Sequence, residues 1–333
     1  MCSLVGCASD KGEVTETTQD TTASVVTEQT SETKNITEKK STTEAPQTTF
    51  DNAVETVTIA GKEYPLDSEE IYLAVSSNFE EEISLENIGK LTALKSLTIR
   101  SNQQQNTVNQ PIKIVNYSGL CELKSLEELE LENVVFYKND IPDDTILLNL
   151  PSLKSLKFDN VYENLYLFES STVTELTINT GIKDNTDVKI NLYGIEKIHN
   201  LKKLYISTTS ESGLLMGKIE NYDGIFELSE LSEISLISSF FYKNECADYE
   251  ALSNITSLTS LRLDGCNSEN WDYLSSLTTL KSLSMRRSNI DNINFINNMP
   301  DLESLKISMI TLDYTEACEL VEKNKNIKEF ECD

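Results

Sequence analysis

Arg286 and Arg287 stand side by side in the C-terminal part of the chain, with Lys281 just before them and Arg262 further upstream. The protein has 28 basic and 55 acidic residues, so a basic cluster runs against its overall trend. A guanidinium group offers a planar fork of donors that matches a carboxylate, and the chemistry these residues suit is capture of an acidic ligand. An opposite cluster lies at Glu127, Glu128, Glu130 and Glu132. Tyr137 and Tyr242 follow Phe136 and Phe241 inside a shared Phe-Tyr-Lys-Asn string, and tyrosine is a frequent contact residue at interfaces. All of this is binding chemistry. Catalytic signatures are absent: there is no G-x-S-x-G, P-loop, G-x-G-x-x-G, H-E-x-x-H or EF-hand spacing. The one histidine, His199, cannot build a histidine triad or a multi-histidine metal site. No C-x-x-C occurs, which leaves zinc and thioredoxin chemistry unsupported. The reading is a non-enzyme without cofactor or metal.

The formal net charge is −27 and the isoelectric point about 4.4. Such a surface repels phosphate backbones and anionic headgroups, so nucleic acid is not an expected partner. No run of 18 apolar residues exists, so no membrane-spanning helix is expected.

The elements that would position these residues follow one pattern. Leu280, Leu283 and Met285 form L-x-x-L-x-L, and Leu302, Leu305 and Ile307 repeat it 22 residues later. Residues two apart on a strand share a face, so the frame residues turn inward and their neighbours outward. Centres of the frame fall at Ile71/Leu73, Leu97/Ile99, Leu129/Leu131, Leu156/Phe158, Leu176/Ile178, Leu204/Ile206, Ile234/Leu236, Leu261/Leu263, Leu283/Met285, Leu305/Ile307 and Phe330/Cys332, which predicts eleven strands. Between them, sets such as Ile88/Leu91/Leu94 fit one or two helical turns. The outward central column reads Thr98, Glu130, Lys157, Thr177, Tyr205, Ser235, Arg262, Ser284, Lys306. It brings Glu130, Lys157, Tyr205 and Arg262 onto one surface as candidate ligand contacts. Tyr137 and Tyr242 fall just past their strands, at a rim, while Phe136 and Phe241 are expected in the core.

A longer period overlies the short one. Lys113-Ile114-Val115-Asn116-Tyr117-Ser118-Gly119-Leu120 matches Lys218-Ile219-Glu220-Asn221-Tyr222-Asp223-Gly224-Ile225 at an offset of 105, and Asp159 matches Asp264 in the same register. Residues of about 88–194 and 195–300 therefore read as a duplicated block of four units each. The shared Phe-Tyr-Lys-Asn continues through Asn139-Asp140 against Asn244-Glu245, off the leucine frame, which argues against chance.

The 22-residue unit and the hairpin pattern before Ile71 resemble the internalin-type leucine-rich repeats of bacterial surface proteins. The resemblance covers residues of about 55–333. It implies an α/β fold: a right-handed horseshoe solenoid with a parallel sheet on the concave face and short helices or turns on the convex face. It also implies non-covalent binding of a macromolecule through the concave face. The slot where this family favours asparagine holds Asn102, Val134, Val161, Gly181, Thr209, Ser239, Cys266, Ser288 and Ile310, so an asparagine ladder is mostly missing.

Leu4-Val5-Gly6-Cys7 resembles the lipobox of bacterial lipoproteins, which implies a lipid anchor on Cys7. The charged and apolar regions that precede such a box are not seen before it. Residues 8–50 hold 13 threonines, eight acids and four lysines, too polar to bury a core, and read as a disordered tether. The expected organisation is 1–7 as a truncated signal, 8–50 as tether and 51–333 as repeat domain, with caps at 51–75 and 313–333. In the C-terminal cap, Asp313 would begin a helix carrying Ala317, Leu320 and Val321 on one face. Cys121 and Cys266 occupy apolar slots and are expected to be buried, while Cys318 and Cys332 are candidates for a cap disulfide. The function these features predict is a cell-surface, lipid-anchored module that binds a protein or glycan. The alternative is a structural subunit of an envelope assembly acting through self-association.

Overall fold

The computed structural model describes residues 54–76, 82–102, 111–137, 150–160, 165, 168, 172–182, 188–210, 216–244, 246–268, 270–308 and 314–332. Cys7, the segment 8–50, Asn139, Asp140, Val161, Glu245, Ile310 and Asp313 lie outside the described residues.

The described chain opens on an antiparallel hairpin, β1 (Thr56–Ile59) and β2 (Lys62–Pro65). The first half then contains β3 (Glu70–Ser76), β4 (Glu82–Ser84), β5 (Ser96–Asn102), β6 (Ile112–Val115), β7 (Glu128–Glu132), β8 (Val134–Phe136), β9 (Ser155–Asp159) and β10 (Glu175–Ile182). The second contains β11 (Lys189–Asn191), β12 (Lys203–Ser210), β13 (Gly217–Glu220), β14 (Glu233–Ile237), β15 (Ser239–Lys243), β16 (Cys246–Ala247), β17 (Ser260–Asp264), β18 (Ser282–Arg286) and β19 (Ser304–Ser308). Helix α1 (Tyr314–Lys323) and strand β20 (Glu329–Cys332) close it.

Eleven strands, in the order β3-β5-β7-β9-β10-β12-β14-β17-β18-β19-β20, form one sheet in which every neighbouring pair is parallel. They are the eleven strands of the leucine frame, and their frame residues pair in register. Leu97, Leu129, Leu156, Leu176, Leu204, Ile234, Leu261, Leu283 and Leu305 make one inward column, each fully or almost fully buried. The fold is a leucine-rich repeat solenoid.

Strands end at a sharp corner. Asn133, Asn160, Ser238, Gly265 and Arg287 each lie two residues past the last inward frame residue, with φ between +47° and +67°. Each donates its N–H to the next strand: Asn133 to Asp159 O (2.9 Å), Asn160 to Asn179 O (2.8 Å), Ser238 to Asp264 O (2.7 Å), Gly265 to Arg286 O (2.7 Å) and Arg287 to Ser308 O (3.0 Å). The left-handed residue turns the chain across the core while the ladder stays paired. Two strands of a second layer, β8 and β15, begin directly after Asn133 and Ser238. This layer, β4-β6-β8 and β11-β13-β15-β16, is not expected from the leucine frame. Its strands are two to five residues long, and Ile114, Ile190, Ile219, Phe136 and Phe241 turn their side chains into the core.

The expected convex turns are present as 3₁₀ segments, among them Ile88–Lys90, Tyr117–Glu122, Asp223–Glu227 and Asp272–Ser276. Three to six residues are too few for an α-helix to nucleate. In place of an asparagine ladder, small donors bond the carbonyl two residues back: Ser239 Oγ to Ile237 O (2.9 Å), Cys266 Sγ to Asp264 O (3.7 Å) and Ser288 Oγ to Arg286 O (3.0 Å). Thr180, Thr208 and Ser239 extend it as a buried hydroxyl chain, with Thr208 Oγ1 and Ser239 Oγ at 2.7 Å.

The duplication is visible in contacts. Lys113 lies 4.4 Å from the Tyr137 ring centre and Lys218 lies 4.8 Å from that of Tyr242. Tyr117 and Phe136 meet as tilted rings with centres 4.8 Å apart, and Tyr222 and Phe241 with centres 4.6 Å apart. Asn116 and Asn221 share φ 54°.

At the ends, Lys62 Nζ donates to Ala74 O on the edge strand (2.9 Å), while Ala317 is buried and Leu320 and Val321 pack on the core. Two cysteine expectations change. Cys121 is half-buried because it lies on the outer 3₁₀ turn, whereas Cys266 is buried, its thiol pushed up to about 11 chiefly by that burial. Cys318 carries a free thiol, so the cap disulfide is not formed.

The register makes a stability prediction. Leu283→Ala empties part of a fully buried column and should cost about 2–5 kcal/mol. Tyr72→Ala, on the outward face and 54% exposed, should stay within about 0.5 kcal/mol of the parent. Urea midpoints check both.

Candidate functional site

Parallel pairing without slippage stacks each outward residue on its counterpart one strand away. The central column is confirmed pair by pair: Thr98↔Glu130↔Lys157↔Thr177↔Tyr205↔Ser235↔Arg262↔Ser284↔Lys306↔Glu331. Side chains so stacked are within reach of one another, and opposite charges there attract.

In the first copy the charges close on themselves. Lys157 Nζ lies 2.6 Å from Glu130 and 3.0 Å from Asp159. Lys154 meets Glu127 at 2.8 Å and Arg100 meets Glu132 at 3.1 Å. Asn179 Nδ2 donates to Asp159 Oδ1 at 2.5 Å. The acidic cluster is thus answered by cations on neighbouring strands. Burial pulls the Lys157 ammonium down, but its bonds to Glu130 and Asp159 outweigh this and hold it above the ordinary range. Carboxylates of Glu130, Glu132 and Asp159 lie within 4.8 Å of one another, a spacing that could hold a metal ion. The Lys157 ammonium already bridges two of the three.

Two carboxyls here respond oppositely to acid. The Lys154 hydrogen bond and charge hold Glu127 below the usual range, so its stabilisation is present above the unfolded pKa and is lost as pH falls through the folded one. Burial pushes Glu132 up against the pull of Arg100, so its ionised form carries a cost that is relieved as pH falls.

In the second copy the pairing centres on Asp264, a carboxylate whose side chain is 5% exposed. Arg262 Nη2 reaches Asp264 Oδ2 at 3.3 Å, and Arg287 Nε reaches Oδ1 at 2.8 Å. Arg286 Nε donates to Ser308 Oγ at 3.1 Å. Lys281 and Arg286 are exposed and make no ion pair among the described residues. Tyr205 stands half-buried on β12, the first strand of the second copy, flanked by Thr177 and Ser235.

The expected set therefore sorts into groups. Lys157 and Glu130 are held by each other and are not open ligand groups. Arg262 and Arg287, expected to project into the groove, are each tied to Asp264 by one contact, and their side chains remain about half exposed. Lys281 and Arg286 are free of ion pairs among the described residues, Arg286 holding Ser308 Oγ, and Tyr205 stays half-buried in the central column. Tyr137 and Tyr242 lie in the second layer under their lysines, away from the concave surface. Asp264 is the residue the cluster of cations alone did not reveal. Its signals were its match to Asp159 and its place two residues after Arg262, on the same face.

No family model matches the chain, and no curated protein matches it. Solved structures do. An internalin (InlF) from Listeria monocytogenes str. 4b F2365 is 17% identical, covers 82% of this chain and 85% of its own, and has a TM-score of 0.42. An internalin C2 from the same strain is 17% identical over 65% of this chain and 74% of its own, with a TM-score of 0.38. The TLR13 of a TLR13–ssRNA13 complex is 16% identical over 78% of this chain and 40% of its own, with a TM-score of 0.49. All three are leucine-rich repeat proteins, the architecture that strand order and register give here.

Asp264→Asn removes the charge that two arginines share. It should cost about 1.5–3 kcal/mol, the range for hydrogen bonds to charged groups. Arg286→Ala, at an open position, should change stability by less than about 0.5 kcal/mol. Chemical denaturation of the two variants tests the division between tied and open cations.

Proposed function

We propose that the chain is a recognition module that binds a protein or glycan partner non-covalently through the concave face of its solenoid. The observation that carries this reading is the single eleven-strand sheet, whose outward residues form one preformed surface with Tyr205, Lys281 and Arg286 open on it. A rigid surface has little entropy to lose on binding, which suits recognition. Leucine-rich repeat neighbours support a binding module in general. No helix among the described residues is long and apolar enough to cross a membrane. Attachment falls instead to Cys7 as a lipidated residue, with residues 8–50 as the spacer that displays the module outside the cytoplasm.

The test uses the full chain and a partner captured by cross-linking from envelope extract or a host-surface preparation. Tyr205→Ala combined with Arg286→Glu should weaken the captured partner at least tenfold while the unfolding midpoint holds. Undiminished affinity in a folded double variant would place the contact elsewhere. Detergent partitioning checks the anchor: the mature chain should enter the detergent phase and Cys7→Ala the aqueous phase.

A further inference from the structure

The duplication provides an internal comparison. One backbone frame occurs twice, and its outward residues have diverged in one direction. Glu130 of the first copy corresponds to Ser235 of the second, Glu132 to Ile237, and Lys157 to Arg262, all at the offset of 105, while Asp159 stays an aspartate as Asp264. In the column where Asn179 donates to Asp159, the second copy has Arg286. Of the two acids that hold the first copy's lysine, Glu130 has become a serine while Asp159 is kept, and the lysine itself has become an arginine.

The charge balance changes accordingly. On the outward faces of β5, β7 and β9, Glu128, Glu130, Glu132 and Asp159 outnumber Arg100 and Lys157. On β17 and β18 of the second copy, Arg262 and Arg286 outnumber Asp264, Arg287 adds a further cation from its corner, and Lys306 follows on β19 just beyond the copy. The chain has only four arginines, and three of them are here; the fourth, Arg100, meets Glu132. Ser235 Oγ and Arg262 Nε, on adjacent strands, are shielded from solvent and have no hydrogen-bond partner among the described residues. They stand where Glu130 and Lys157 are joined in the first copy.

We propose that this face binds an anionic polysaccharide, with its carboxylate or sulfate groups taken by Arg262, Arg286 and Arg287. The inference rests on the concave-face reading and names its ligand class. Asp264 is the positioning residue: it engages one end of Arg262 and of Arg287 and leaves their other donors directed by a fixed counter-ion. The rest of the surface is hydroxyl. Outward residues of the three strands are Ser260, Arg262, Asp264, Ser282, Ser284, Arg286, Ser304, Lys306 and Ser308, without one apolar side chain. Cores of protein interfaces are rich in aromatic residues, methionine and arginine and poor in serine and lysine; this face shares only the arginines, so its composition fits a sugar chain better than a protein. Net charge does not forbid an anion. At physiological salt the screening length is about 8 Å, so a ligand on this face responds to the local arginines more than to the distant acids.

The experiment measures retention of the full chain on alginate, dextran sulfate, neutral dextran and poly-L-glutamate. The expected result is retention on alginate or dextran sulfate, whichever acid group fits, and none on neutral dextran. Ser235→Glu restores the first copy's acid beside Arg262, an arrangement this backbone already accepts at Glu130, and should weaken retention at least tenfold with an unchanged midpoint. Glu130→Ser, the mirror change in the first copy, should leave retention unchanged. No retention on either acidic glycan overturns the inference, as does retention that ignores Ser235→Glu. Stronger retention on poly-L-glutamate overturns the glycan class and keeps the concave face. The captured-partner test of Tyr205→Ala with Arg286→Glu judges the concave face separately, so the two failures are distinguishable.

Discussion

Parallel, in-register pairing is the constraint on which this structure depends. Each side chain of the main sheet lies roughly 4.8 Å from its counterpart on the next strand, so residues are organised in columns as much as in strands. For the inward columns the rule is simple, because leucine beside leucine buries area on both sides and extends the core from Leu97 to Leu305. For the outward columns it is stricter, because like charges side by side repel. The chain obeys by alternation. Glu69, Lys95, Glu127 and Lys154 succeed one another at the strand starts, with contacts of 2.8 Å at Glu69–Lys95 and Glu127–Lys154. In the central column, Ser284 separates Arg262 from Lys306. One pair of acids breaks the rule: Glu132 and Asp159 stand opposite each other, and Lys157, Arg100 and Asn179 converge there.

Much of this architecture was legible in the sequence because burial is periodic. The frame L-x-x-L-x-L marks every strand of the main sheet, and the hairpin over Val57 and Ile59 is marked by alternation. The second layer was not legible. Its strands are short, and two of them, β8 and β15, start directly after the left-handed corners at Asn133 and Ser238, which their residue types permit but do not announce. Pairing of the surface cations was hidden for another reason. Lys157 and Glu130 are 27 residues apart, and Arg287 and Asp264 are 23 apart, so no local window contains both partners. Only columns laid side by side reveal that Arg262 and Arg287 share a counter-ion. The same arithmetic accounts for Cys121, whose slot lies on a 3₁₀ turn at the outer layer rather than in the sheet.

Duplication with divergence gives the surface its asymmetry. The two copies keep the scaffold pairs, Lys113 with Tyr137 and Lys218 with Tyr242, because those hold the second layer in place. They differ on the outward face, where folding asks only that neighbours not repel. The first copy uses that freedom to pair each of its cations within a surplus of acids, and the second keeps a buried acid under a surplus of arginines. Loss of stability is a weak objection to such a surplus, since Arg262 and Arg287 remain about half exposed and solvated.

Arginine-selective labelling with phenylglyoxal, read by mass spectrometry, tests this account most directly, because the chain has only four sites. With a saturating acidic polysaccharide, the account predicts shielding of Arg262, Arg286 and Arg287 and unchanged labelling of Arg100. Equal labelling of all four with and without ligand, or shielding confined to Arg100, would contradict it.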